Sequence, residues 1–315
     1  MVDAEDVETI AVVAASSVVA VVIAVVSRHN PPWWDNRIWL DWILAATAGG
    51  AAAAVNNFAA TSTRYDACAA MAANSTQRAN RTVAPSRELC GEQWNNNLGF
   101  PKATDEMITD GELIVIGLLI SMGLFSLSLL YFTKVAVPLD GKQRGWSVWH
   151  DQHNAYLALA LAAAVTELMT SGMKHFAGVL RPSYYSLVAV PGATPRQLKD
   201  AVMSFPSGHA SFSFATMTVC FLYFLGKTQS CKHGPGKAWQ VFLALLFPGI
   251  AGMISISRVV DYEHHPADIN AGAILGLCMG YLFYHQYFPS PWAQQCAAPR
   301  LHTDVKPREE YAPIA

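Results

Sequence analysis

Charge is scarce in this chain. Only 14% of its residues are Asp, Glu, Lys or Arg, against about a quarter in an ordinary soluble domain, which argues against a soluble globular fold. The balance of sign is just as thin. A net charge of -2, with no basic face interleaved with aromatics, excludes nucleic acid as a partner. Positive charge is missing altogether from Met1 to Glu8, where Asp3, Glu5, Asp6 and Glu8 stand, so this stretch is not the basic start of a secretory signal.

Apolar helix is what the chain has in plenty, with 52% hydrophobic residues. Runs at 8–27, 38–60, 112–134, 153–173, 209–226, 238–257 and 267–287 each approach the roughly 20 residues that cross a hydrocarbon core. The expected fold is all-α, a transmembrane bundle of seven spans, with six as the fallback. The second run is the weakest, being Ala/Gly-rich with Asp41 near its start and Asn56-Asn57 near its end. Trp33, Trp34, Trp39 and Trp42 around its start suggest an interfacial aromatic belt.

Positive residues gather at 28–37 (Arg28, Arg37), 134–152 (Lys134, Lys142, Arg144) and 227–237 (Lys227, Lys232, Lys237). Seven spans put all three connections on one face, which the positive-inside rule makes cytoplasmic. The loop 61–111 then lies outside, and it carries glycosylation sequons at Asn74 and Asn80. Cys68 and Cys90 in the same loop are a candidate disulfide pair, whereas Cys220, Cys231, Cys278 and Cys296 are expected as free thiols. The Pro-rich segment 289–315 is expected to be a disordered cytoplasmic tail.

The chemistry gathers at the span ends. Between the last two runs, Ser257 to Asp268 packs an arginine, two histidines and several acids into a dozen residues. On a helix starting near Pro266, His264 and Asp268 would share a face, so the carboxylate could hold one ring nitrogen and leave the other to attack. Arg258 offers a fork suited to a phosphoryl group. Lys174 and Arg181, two helical turns apart before Pro182, could converge on one point, although by themselves a lysine and an arginine at a span's end are more often interfacial anchors. Glu167 is either a satisfied polar residue or a partner that positions Lys174. Ser207, Gly208 and His209 open the fifth run, where free helix amides favour an anion and His209 could donate a proton; a plain capping serine beside an incidental histidine fits too. With seven spans all three clusters fall on the outer face.

Lys174-x6-Arg181-Pro182, Pro206-Ser207-Gly208-His209 and Ser257-Arg258-x5-His264-x3-Asp268 together resemble the three-part signature of the type 2 phosphatidic acid phosphatases, or lipid phosphate phosphatases. Arg258 to His265, Ser204-Phe205 and Leu40-Asp41 are similar to the eukaryotic branch in particular. The likeness runs from about 38 to 288, which divides the chain into an added N-terminal span and turn (1–37), a core with its outer loop 61–111 (38–288), and the tail (289–315). The resemblance implies a metal-independent hydrolase of lipid phosphate monoesters, needing no cofactor. Lys174, Arg181, Arg258, Ser207 and Gly208 would bind phosphate. His264 would attack phosphorus to give a phosphohistidine, Asp268 would orient it, and His209 would protonate the leaving group. The protein would sit in the plasma membrane or an endomembrane with its site extracellular or lumenal, and a homo-oligomer is compatible with the sequence.

Three rival readings stand beside this one. His264, His265 and Asp268 could ligate a metal, which chelator sensitivity would reveal. A phosphatase of a soluble ester such as a sugar phosphate would share the signature. A non-catalytic relative that only binds lipid phosphates would be expected to have lost site residues, and here every one is present.

Overall fold

Every element of regular structure among the described residues is a helix. A computed structural model describes residues 38–58, 98–103, 105–134, 141–189, 195–231, 238–293 and 295–300. The run 8–27, Trp33, Trp34, the sequon residues Asn74 and Asn80, and the cysteines Cys68 and Cys90 lie outside them. In chain order the helices are α1 (Ile38–Phe58), α2 (Asp110–Lys134), α3 (Gly141–Ala177), α4 (Tyr184–Ala189), α5 (Pro195–Asp200), α6 (Gly208–Thr228), α7 (Ala238–Ala244), α8 (Leu246–Val260) and α9 (Pro266–Tyr287).

Five stretches are long and apolar enough to cross a membrane: Asp110–Leu130, Trp149–Ala177, Gly208–Thr228, Ala238–Val260 and Pro266–Tyr287. Seven were expected. The first lies outside the described residues, and α1 is not among the five. Other expectations change as well. The fourth run, expected from 153, starts earlier and takes up part of the connection 134–152, because α3 begins at Gly141 and no proline interrupts the chain between Pro138 and Pro182. Between α3 and α6 the chain forms two short helices, α4 and α5, which the apolar runs do not signal. The sixth run breaks at Leu245, where Pro248 has no N–H to give the Ala244 carbonyl. Of the tail expected at 289–315, residues 289–293 and 295–300 turn back onto the bundle, with Cys296 buried and the Arg300 N–H donating to the Tyr287 carbonyl at 2.7 Å, and 301–315 lie outside the described residues. Cys220, Cys231, Cys278 and Cys296 are free thiols.

α6 is the central post, with α2, α3, α8 and α9 packed around it and α1 laid along α3. It is buried on nearly every side by small residues such as Ala210, Ser211, Ser213 and Ala215, which suits a helix surrounded by others. α9 meets it along Gly272, Gly276 and Gly280. A Cβ at 272 would lie 2.6 Å from the Ser207 carbonyl oxygen, and one at 280 would lie 2.6 Å from that of Ala215; at 276 the Ser211 oxygen blocks it. These helices approach backbone to backbone, which only glycine permits. The outside of the bundle carries exposed Leu119, Met253, Ile256, Ile274 and Leu282, as lipid contact requires.

The far end of the bundle is polar and paired. Lys227 lies inside α6 and bonds the Asp151 carboxylate, whose other oxygen accepts from Tyr223 at 2.7 Å. Lys227 is therefore no free loop charge, contrary to its use above as an orientation cue. Nor does Trp42 join an interfacial belt: it is buried and donates through Nε1 to His153 Nε2 at 2.8 Å.

Candidate active site

α3 does not carry Arg181, contrary to the two-turn spacing expected. Gly178 takes a left-handed conformation (φ 58°) and its N–H donates to the Lys174 carbonyl at 3.1 Å, ending the helix in the glycine manner. Lys174 thus stays in the last turn, and Arg181 arrives from the following loop, its N–H bonded to the Ala201 carbonyl at 3.0 Å. The same loop pair is sewn once more by Ser204 N–H to the Val179 carbonyl at 2.9 Å.

Ser207 caps α6, accepting from the Ala210 N–H at 3.4 Å, and its own N–H donates to the Asp268 carbonyl at 3.1 Å. The close crossing of α6 and α9 makes that contact, so the second and third signature segments touch through backbone. A Cβ at Gly208 would meet Lys174 Nζ at 3.7 Å, which places the ammonium beside the first turn of α6. Glu167 accepts from Ser171 Oγ at 3.2 Å, and the charge of Lys174 acts on it from the same helix.

Arg258 sits in the last turn of α8 and is 1% exposed. Its carbonyl accepts the N–H groups of Glu263 (3.0 Å) and His264 (3.3 Å), closing the turn that leads to α9. Tyr262 in that turn is left-handed (φ 55°), a conformation costly for a side chain, and it stacks on Phe100 with centroids 4.6 Å apart. His264 precedes α9, which starts at Pro266 after the N-cap His265. The Asp268 carboxylate reaches back to the His265 N–H at 2.9 Å and accepts from Ser204 Oγ at 2.6 Å. It consequently stands 3.9 Å from His264 Nδ1, an ion-pair distance rather than the expected hydrogen bond, and Nδ1 has no hydrogen-bond partner. The ring of His265 contacts the Leu180 carbonyl through Nε2 at 3.1 Å.

Of the three cations expected to bind phosphate, the two arginines are paired with carboxylates. Arg181 donates to Asp200 Oδ1 (2.5 Å) and carbonyl (2.9 Å) and to the Glu263 carboxylate. Arg258 donates to Asp261 Oδ2 (2.7 Å), Glu106 Oε2 (3.1 Å) and Ser257 Oγ (3.2 Å). Burial raises the pKa of Asp200, but Arg181 and Lys174 outweigh it and hold this carboxyl below its usual range. Glu106 is pushed upward by burial and by Glu263, with Arg258 opposing. His264 is held well below the usual histidine range, first by burial and then by the charges of Arg181 and Lys174, so its ring is neutral.

One end of the bundle therefore brings together Lys174, Arg181, Ser207, Gly208, His209, Arg258, His264 and Asp268. Glu106, Asp110, Asp200 and Ser204 belong to the same cluster. Sequence reasoning gave them no role; Ser204 stood out only as part of the family likeness, and Glu106, Asp110 and Asp200 had no signal but the tertiary one, each meeting its partner from a different segment.

Residues 155–292 match the PAP2 superfamily. The chain is 36% identical over 151 residues to a PA-phosphatase related-family protein of Dictyostelium discoideum, covering 48% of this chain and 55% of that one. It is 32% identical over 160 residues to Lipid phosphate phosphatase 1 of Arabidopsis thaliana (46% and 48%). With Diacylglycerol pyrophosphate phosphatase 1 of Saccharomyces cerevisiae it shares 30% over 155 residues (44% and 53%). The chain spans about half the length of these relatives. No solved structure matches it. The segment 155–292 that matches the PAP2 superfamily holds all eight signature side chains.

Proposed function

We infer that this chain is an integral-membrane, metal-independent hydrolase of lipid phosphate monoesters, converting phosphatidate to diacylglycerol through a phosphohistidine. The observation that carries the reading is the meeting of two imidazoles and three cations at one helix-bundle end, around the α6 N-terminus.

Lys174, Arg181 and Arg258 bind the phosphate oxygens, assisted by Ser207 and the Gly208 amide. The carboxylates on the arginines hold the guanidinium planes in register, and each arginine has five N–H donors to share. Neutral His264 presents Nε2, the nitrogen away from Asp268, to phosphorus. The P–N bond forms as the bond to the lipid oxygen breaks, and His209 gives that oxygen its proton. Water then attacks phosphorus, returns a proton to His209 and frees His264 and inorganic phosphate. Fixed cations facing the spreading negative charge stabilise the transition state without further reorganisation. Asp268 stabilises the His264 ring through its charge and aligns it when the 3.9 Å gap closes.

Purified protein in detergent, with chelator present, should release inorganic phosphate from phosphatidate, and His264→Ala should lower the rate at least about 10⁴-fold, more than loss of a positioned acid costs. Full activity in that variant would end the proposed mechanism. Phosphatidate, lysophosphatidate, sphingosine phosphate and diacylglycerol pyrophosphate compared side by side would rank the head groups.

A further inference from the structure

His209 is held by residues outside the matched domain, and both of its ring nitrogens face acceptors. Nε2 lies 3.1 Å from the Ile108 carbonyl oxygen and Nδ1 3.4 Å from Asp110 Oδ1. A backbone carbonyl only accepts a hydrogen bond, and so does an ionised carboxylate. A neutral imidazole owns one N–H and satisfies one of these oxygens; the imidazolium, with two, satisfies both. The cations Lys174 and Arg258 are near this ring as well. Asp110 is the carboxylate that offsets them.

The position of Asp110 is built into the start of α2. Thr109 donates to Glu112 Oε2 through its N–H (2.8 Å) and hydroxyl (3.0 Å), and the Glu112 N–H returns a bond to Thr109 Oγ1 at 3.3 Å. This capping box sets the first helical residue, which is Asp110. Just upstream, the Met107 N–H donates to Asp261 Oδ2 at 3.0 Å, so the segment is fastened to the turn that bears His264.

We propose that Asp110 is the positioning residue of the acid: it keeps the proton on His209 and aims the ring, without touching phosphate. This rests on the phosphatase reading above. When the bond from phosphorus to the lipid oxygen breaks, the electron pair goes to that oxygen and a His209 N–H supplies the proton. Asp110 then faces a neutral ring, which takes a proton from the attacking water in the second step. Asp110 itself neither gains nor loses one.

Leaving-group dependence separates this role from a structural one. An alkoxide departs poorly without a proton, whereas nitrophenolate departs without help. The test compares kcat/KM of the full chain in detergent on phosphatidate and on p-nitrophenyl phosphate. Asp110→Asn should lose about 30-fold on phosphatidate, a part of the 10²–10⁴-fold that a positioned acid supplies, and no more than about threefold on the aryl ester. Asp110→Glu should recover most of the loss, and Asp110→Asn should add nothing in a His209→Gln background, since both act in one step. Equal losses on the two substrates, or additive losses in the double variant, would overturn the proposal while leaving the phosphatase reading intact. A wild type that hydrolyses neither substrate would overturn both.

Discussion

His264 illustrates how far a residue's spacing carries. The interval to Asp268 places the two in one turn, and the structure keeps them 3.9 Å apart because Asp268 is engaged by Ser204 and the His265 N–H. An N3 carboxylate reaching back to its N-cap is ordinary helix chemistry, and here it competes with the imidazole. Burial, Arg181 and Lys174 keep the His264 ring neutral. Protonation would remove the attacking lone pair, so activity is lost only as pH falls through that lowered value. The acidic limb of a kcat/KM profile on phosphatidate should therefore lie below about 6.5, the ordinary histidine value. A limb at or above that value would show that neither burial nor the cations govern the nucleophile.

At the scale of elements, the α6–α9 crossing sets the register between the His209 and His264 segments. Gly276 faces the Ser211 carbonyl oxygen and lies 2.8 Å, measured from an added Cβ, from the Ala215 nitrogen. Gly276→Ala must push the helices apart, at about 1–3 kcal/mol for overpacking. Thermal unfolding in detergent should shift down and phosphatidate hydrolysis should fall at least about tenfold, a misplacement effect. Gly249→Ala is the control, since nothing lies within 4 Å of a Cβ there. If both variants behave alike, the crossing does not position the site. The stripe Gly272, Gly276, Gly280 is visible in the sequence and suits a close-packing helix. Its partner is not, because a stripe of small residues names no neighbour.

On the scale of the whole molecule, the site gathers the C-terminal ends of α3 and α8 and the N-terminal ends of α6 and α9. The opposite end is closed by Asp151, Lys227 and Tyr223, with the Ala297 carbonyl accepting from Lys227 at 2.5 Å. We propose that the site end faces the non-cytosolic side, as the sequons at Asn74 and Asn80 and the charges outside α6 suggest. Endoglycosidase should then shift the mobility of the protein expressed in a glycosylating cell, and the Asn74→Gln, Asn80→Gln variant should show no shift. Absence of a shift in the parent protein would remove this support for the orientation.

Sequence alone determined the helical class, the main apolar runs and the eight signature positions, since length, hydropathy and fixed spacing are local properties. Only the tertiary structure decided which carboxylates stand on the arginines, that Asp268 is shared with Ser204, and that Asp110 reaches His209. The chain separates Asp110 from His209 and Glu106 from Arg258 by most of a hundred residues or more. Pairings across such distances arise from how helices pack, and no spacing within either segment encodes them.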